Sequence, residues 1–164
     1  MRLEIVRHRT ILYDVSNSTI SLISRVHGMT HQWLSQELAA AGLHGVVPSH
    51  GDVLAILFQR GEVSMHEIAE FAHRTRPTVT VLVGKLERMG LVQHRRSKTD
   101  GRSTLVSLTS KGEKLRPVFD DISRRLIELV TSSLSGEESE TLEKLLGKVL
   151  SNMKKTQQQP GGRP

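Results

Sequence analysis

The sequence predicts a mainly α-helical fold: a winged helix-turn-helix with a two-stranded β wing, flanked by N- and C-terminal helices that form a dimerisation region. Three observations predict it. Two short helical patterns, from Ser64 to Ala72 and from Thr75 to Arg88, follow one another across a break of two residues. Two short strand-like runs, Leu91–His94 and Thr104–Leu108, flank a charged segment containing Asp100-Gly101, a strong hairpin turn signal. The basic residues gather on this same stretch. Between Ser64 and Lys111 nine basic residues face four acidic ones, an excess of five within a chain whose net charge is +6. A local basic excess on one compact unit marks a polyanion partner.

Composition sets the outer bounds. A chain of 164 residues allows one domain, or two small lobes sharing a core. A hydrophobic content of 37% is low for a self-sufficient globule, so a second subunit is expected to complete part of the core. Cysteine is absent, which excludes disulfides, thiolate metal sites and thiol redox sensing. No apolar run approaches the roughly 20 residues of a membrane helix. Met1 to Thr10 lack the apolar centre of a signal peptide, and a cytoplasmic protein is the expectation.

Taken in order, Ile11, Val15, Leu22, Val26, Met29, Trp33 and Leu38 mark a first helix from about Thr10 to Ala41. At about 32 residues it would be roughly 48 Å long, too long for a domain of this size to cover. The polar stretch Val15–Thr19 is a place where it would bend, and Gly42 stops it. Pro48 suits the first position of a second helix, with Val53, Leu54, Ile56 and Leu57 as its core face and Arg60-Gly61 as its end. Ser64 and Glu67 have the spacing of a capping box for the third helix, whose Ile68, Phe71 and Ala72 face the core.

Thr75 caps the fourth helix, with Pro77 in its first turn. Val79, Leu82, Val83 and Leu86 take its inner face, and Arg76, Thr78, Thr80, Val81, Gly84, Lys85 and Arg88 the outer one. A short, polar, basic outer face suits a helix entering a groove about 12 Å wide. After the hairpin, Thr109 caps a fifth helix carrying Leu115, Phe119, Ile122, Leu126, Leu129 and Val130, which Pro117 is placed to bend. Ser135 and Glu138 form a second capping box, opening a sixth helix with Leu142, Leu145, Leu146, Val149, Leu150 and Met153. The segments are therefore 1–44, a dimerisation helix; 45–112, the DNA-binding unit; 113–154, further dimerisation helices; and 155–164, a polar, Gly- and Pro-rich tail expected to be disordered.

Three local motifs carry a resemblance. Pro77 to Val92, with Pro-Thr-Val-Thr and then Lys-Leu-Glu-Arg-Met-Gly-Leu-Val, is similar to the recognition helix and exit of the MarR (multiple antibiotic resistance regulator) family of bacterial transcription factors. Asp100-Gly101-Arg102-Ser103 resembles that family's wing-tip Asp-x-Arg, and Leu108-Thr109-Ser110-Lys111-Gly112 its Leu-Thr-x-x-Gly. The resemblance covers roughly Thr10 to Met153. It implies a homodimer on a pseudo-palindromic operator, acting as a repressor, less often an activator, released by a small phenolic or other aromatic effector. It also implies that Arg102 enters the minor groove and that Asp100 positions it, which agrees with the fit of a guanidinium to a narrow, strongly negative groove. The chain departs from the family at Val81, where many members have arginine, at Gly84, where an acidic residue is common, and at Val47, which replaces a Ser or Thr before Pro48.

The expected DNA contacts are Ser64, Arg74, Thr75, Arg76, Pro77, Thr78, Thr80, Val81, Lys85 and Arg88 around the recognition helix, and Arg95, Arg96, Lys98, Asp100 and Arg102 in the wing. Arg95, Arg96 and Lys98 are assigned to phosphates. Tyr13, His31, Trp33, His50 and Asp52 are placed around an effector pocket implied by the family architecture. His27 with His31, and His66 with Glu70 and His73, have spacings that suit zinc. The first pair lacks a third ligand and the second set lies on a solvent-facing helix, so no metal and no cofactor is expected; a zinc-responsive regulator is kept as an alternative. Ser49-His50-Gly51-Asp52 holds the residue types of a hydrolase triad, but sequence neighbours do not meet with triad geometry, and an enzyme is not expected. A weakly sequence-selective architectural DNA-binding protein is the other alternative.

Overall fold

The computed structural model describes residues 19–97 and 103–157, which form two compact units, one ending at Ile122 and one beginning at Ser123. The first opens with α1 (Thr19–Ala40), α2 (Pro48–Arg60), the two-residue strand β1 (Val63–Ser64), α3 (Met65–Phe71) and α4 (Arg76–Arg88). It continues through β2 (Val92–Arg96), β3 (Thr104–Leu108) and the single turn α5 (Ser110–Glu113). Helix α6 (Arg116–Thr131) runs across the boundary, and α7 (Gly136–Gln157) lies wholly in the second unit.

The core of the first unit is where the apolar periodicity puts it. Val53, Leu54, Ile56 and Leu57 of α2 meet Ile68 and Ala69 of α3 and Val79, Leu82, Val83 and Leu86 of α4. Val63, Leu91, Val92, Val106 and Leu108 close it from the sheet, Leu38 from α1, and Ile122 from α6. Each fully buried Leu, Ile or Val is worth about 1.5–3 kcal/mol relative to exposure. This cluster therefore fixes the outward faces of α3 and α4.

The helix signals resolve into specific bonds. Ser64 Oγ accepts the Glu67 N–H at 3.2 Å and the Glu67 carboxylate accepts the Ser64 N–H at 2.7 Å, a complete capping box. The Ser64 backbone N–H first, and the Ser64 side chain second, hold the Glu67 carboxyl below the usual glutamate range. Ser135 and Glu138 build the same box at the start of α7. Helix α1 ends as Gly42 predicts: its N–H reaches Ala39 O, and Leu43 N–H reaches Leu38 O at 2.9 Å, with Leu38 and Leu43 packed in one cluster.

Several expectations are corrected. The two-stranded wing forms as expected from β2 and β3, and β1 adds a third strand in the order β1-β3-β2, because Val63 and Ser64 pair with Val106 and Leu105. Strand β2 extends to Arg96, since Arg95 and Arg96 continue the ladder opposite Leu105 and Thr104. Phe71 is 41% exposed, and Ala69 takes the core position assigned to it. The predicted fifth helix comes in two pieces: Thr109 caps α5, and α6 starts afresh with Pro117 in its first turn. Helix α7 continues through Gln157, into the stretch expected to be tail. The N-terminal part of the first helix, with its expected bend, lies outside the described residues.

Candidate nucleic-acid interface

Helix α4 presents its outward face as the sequence predicts. Arg76, Pro77, Thr78, Thr80, Lys85 and Arg88 are exposed, Val81 is 57% exposed, and nothing stands within 4 Å of where a Cβ on Gly84 would be. The face is low in relief, because its centre carries only valine, threonine and glycine between cations. The Thr80 hydroxyl donates to Arg76 O at 3.0 Å, which holds the side chain in one rotamer with its methyl away from that carbonyl. Thr75 precedes the helix as its cap residue, but its hydroxyl meets the Thr78 hydroxyl at 2.9 Å and bonds no backbone N–H.

The turn into α4 is a Schellman motif built on an unusual residue. Arg74 N–H bonds Ala69 O at 3.0 Å and His73 N–H bonds Glu70 O at 3.2 Å, with His73 in the left-handed region at φ +51°. Arg74 and Thr75 are exposed beside it, and Ser64 caps α3 at the other end. Asp52 is half-buried; burial pushes its carboxyl up, against the pull of Arg74 and His73.

At its other end α4 is held by residues after the hairpin. Gly90, at φ +70°, makes the turn, and Leu91 N–H returns to Leu86 O at 3.0 Å. The Lys111 ammonium donates to Met89 O at 2.9 Å, and the Thr109 hydroxyl to Gly90 O at 2.6 Å. Gly112 lies so close to Leu91 that a Cβ there would stand 2.1 Å from the Leu91 carbonyl oxygen. The Leu-Thr-x-x-Gly motif is thus a clasp on the exit of the recognition helix. Lys111, one of the cations in the basic excess, serves that clasp.

In the wing, Arg96 is exposed, and Ser97 N–H bonds Ser103 O at 2.9 Å at the end of the ladder. Lys98, Asp100 and Arg102 lie outside the described residues. Arg95 forks onto Glu62, Nε to Oε2 at 2.8 Å and Nη2 to Oε1 at 2.5 Å. His94 Nδ1 lies 2.7 Å from Glu87 Oε1, joining β2 to α4. Sequence reading missed Glu62, Glu87 and His94, because no periodicity or motif signals a partner so distant in the chain.

Of the residues assigned to an effector pocket, His31 and Trp33 lie on α1 and His50 and Asp52 on α2. Tyr13 lies outside the described residues. His31 is exposed, its ring 6.1 Å from that of His27, and Trp33 packs on the core. His50 is 1% exposed: its Nδ1 accepts the Val47 N–H at 3.1 Å at the start of α2, while Nε2 is buried with no hydrogen-bond partner among the described residues. The Val47 side chain has no acceptor to return, so the side-chain box is half made, and the His50 N–H bonds Val47 O instead at 2.8 Å. Burial, and then Lys85, hold the His50 imidazole below its usual pKa. Among the described residues no three His, Asp or Glu side chains come together as a metal site; His66 and Glu70 form an exposed pair at 3.4 Å.

Comparison with known proteins agrees with this geometry. The MarR family model matches residues 48–104, from the first residue of α2 to the first of β3. The transcriptional regulator MhqR of Bacillus subtilis is 32% identical over 112 residues, which cover 68% of this chain and 77% of MhqR. The transcriptional regulator MgrA of Staphylococcus aureus is 33% identical over 98 residues, 60% of this chain; the match spans 65% of MgrA, just under two thirds of its length. The structure of S. aureus MepR in complex with DNA superposes with a TM-score of 0.75 at 28% identity, covering 82% of this chain and 98% of MepR. Among the described residues no helix is long and apolar enough to cross a membrane. The chain belongs to the MarR family of winged helix-turn-helix transcriptional regulators, which are not enzymes.

Proposed function

We propose that this protein is a homodimeric regulator that binds a pseudo-palindromic DNA operator through α4 and the wing and, as a repressor, is released by a small aromatic effector. The observation that carries the DNA reading is the outward face of α4: exposed, low in relief, basic, and fixed from behind by four buried aliphatic residues. Arg74, Arg76, Lys85, Arg88 and Arg96 supply charge for phosphates, and Thr78, Thr80 and Val81 supply a surface for base edges, Val81 against a thymine methyl. Lys98, Asp100 and Arg102 complete the wing contact. That MepR has been seen bound to DNA supports the same use of this fold.

Two copies account for the apolar surface left over. Ile20, Leu22, Val26 and Met29 of α1 are exposed, and so are Leu142, Leu145, Leu146, Val149, Leu150 and Met153 of α7. Large uncovered apolar faces mark interaction sites. Residues 1–44 and 113–154 are accordingly the dimerisation segments and 45–112 the DNA-binding unit. A dimer sets its two recognition helices about 34 Å apart, in successive major grooves. An effector lowers affinity if it favours another separation. The reading places the protein in the cytoplasm with its DNA.

Footprinting on the DNA upstream of its own gene, with the mass of the free protein measured by light scattering, tests this. A protected inverted repeat and a dimer mass are expected. A monomer, or protection displaced equally by any competitor duplex, would replace this reading with that of an architectural DNA-binding protein.

A further inference from the structure

Arg95 has the position of a phosphate contact but the bonding of a brace. Both its Nε and its Nη2 are committed to Glu62, in the side-on fork that fixes the plane of a guanidinium as well as its distance. The two side chains are 50% and 34% exposed, a setting in which an ion pair contributes little to stability. Its placement is more informative than its strength. Glu62 immediately precedes β1, while Arg95 lies on β2, and β3 separates those two strands in the sheet. In register, Arg95 stands opposite Leu105, and Leu105 opposite Ser64, so the fork joins the two outer strands across the middle one. The next residue back, His94, points to the other face of the strand and meets Glu87 of α4. Strand β2 is therefore tied on one face to the recognition helix and on the other to the turn that leads into α3.

We infer that Glu62 is a positioning residue for DNA binding: by holding Arg95 it sets the direction of the wing relative to α4, and Arg95 acts as that brace instead of meeting a phosphate. The inference rests on the DNA-binding reading above. A two-stranded ribbon is weakly stable alone and takes its orientation from what it is anchored to. Ser97 and Ser103 close the ladder, so the residues between them are carried on β2 and β3. An error in strand direction then reaches every contact those residues make.

The test is fluorescence anisotropy on the full-length protein, using a duplex selected from a randomised library by the wild type and a scrambled duplex of the same composition, over a range of salt. The variants are Glu62→Gln, Arg95→Gln, Arg95→Lys, the double Glu62→Gln with Arg95→Gln, and the exchanged pair Glu62→Arg with Arg95→Glu. As a brace, each single variant weakens binding to the selected duplex by about three- to tenfold, and the double variant is no worse than either single. The salt slope stays at the wild-type value. Arg95→Lys behaves like Arg95→Gln, because an ammonium cannot make the fork. The exchanged pair recovers at least part of the loss. The opposite pattern overturns the inference: a salt slope reduced by about one in Arg95→Gln, wild-type behaviour in Arg95→Lys, and tighter binding to both duplexes in Glu62→Gln. The lysine variant keeps the charge and decides between the two even if the exchanged pair does not fold. A wild-type protein that enriches no sequence and binds neither duplex removes the DNA reading itself, a different result from either pattern.

Discussion

His50 Nδ1 accepts the Val47 N–H at 3.1 Å, and the bond requires that nitrogen to be unprotonated. The ring is buried against the core, where burial first and Lys85 second oppose a positive charge. The folded pKa therefore lies below the ordinary value of 6.5. Between those two values the unfolded chain binds the proton and the folded one does not. The stability linked to His50 is fully present above the ordinary value, is lost as pH falls toward the lowered one, and changes no further below it. Glutamine at this position keeps an acceptor for Val47 and does not titrate. Urea midpoints taken from mildly acidic to neutral pH should fall on acidification more steeply for the wild type than for His50→Gln. Parallel curves would show that His50 does not carry the effect.

The turn between α3 and α4 offers a second measurement. His73 holds a left-handed conformation at φ +51°, which costs a residue with a Cβ roughly 1–2 kcal/mol. Glycine removes that cost but loses more freedom on folding, about 0.5–1 kcal/mol. His73→Gly should therefore raise stability by about 0.5–1 kcal/mol in denaturant unfolding. A loss of stability would mean that the imidazole makes a contact worth more than the strain.

Gly112 predicts the reverse. A methyl group there would stand 2.1 Å from the Leu91 carbonyl oxygen and 3.1 Å from Leu108 Cδ2, and the first of these neighbours is backbone. That same carbonyl accepts the Thr109 N–H at 3.1 Å, so displacing it opens the clasp behind α4. Gly112→Ala should destabilise by about 3 kcal/mol, the upper range for overpacking, because a carbonyl cannot change rotamer. Thermal unfolding within a degree or two of wild type would contradict the geometry.

These positions also show what the chain reveals of its fold before any coordinates. Features set by local chemistry were legible: the apolar faces of α2 and α4, the Ser64–Glu67 box, Gly42 and Gly61 as helix stops, and the exposed side of the recognition helix. Phe71 was misplaced because a seven-residue helix gives too little periodicity to define a face. Strand β1 was invisible because two residues carry no alternation. The uses of Arg95 and Lys111 were hidden for another reason. Charge adds up along a sequence, but whether a cation faces solvent or closes on a carboxylate or carbonyl depends on residues brought near only by folding. Counting cations thus located the basic unit without showing that Arg95 pairs with Glu62 or that Lys111 bonds the Met89 carbonyl.

The apolar face of α7 gives a prediction about assembly. None of the residues from Gly136 to Thr156 is buried, yet Leu142, Leu146 and Val149 lie on one side of the helix, at spacings of four and three. If a second copy covers that side, Leu146→Glu with Val149→Glu should place four carboxylates in a two-fold interface and yield a monomer by light scattering. The helical circular dichroism of 48–122 should be largely kept, because that core lies in the other unit. Operator affinity should fall with it, since one subunit holds only one half-site. A double variant that remains dimeric would show that the subunits pair through other residues.

Arg76 gives the most direct test of how the recognition helix meets DNA. It is the first residue of α4, exposed, at the end of the helix where backbone N–H groups and the macrodipole favour an anion. No acidic residue lies in that first turn to neutralise it. A guanidinium in this place is suited to a phosphate, and a phosphate contact carries no base preference. Arg76→Ala should therefore weaken binding to the selected and scrambled duplexes by similar factors and lower the salt slope by about one. Val81→Ala should act differently: it removes an apolar contact from the centre of the same face, lowers affinity for the selected duplex alone, and leaves the salt slope unchanged. If Arg76→Ala reduced only the selective component, Arg76 would be reading a base edge, and the helix would sit deeper in the groove at its N-terminal end than its position here implies.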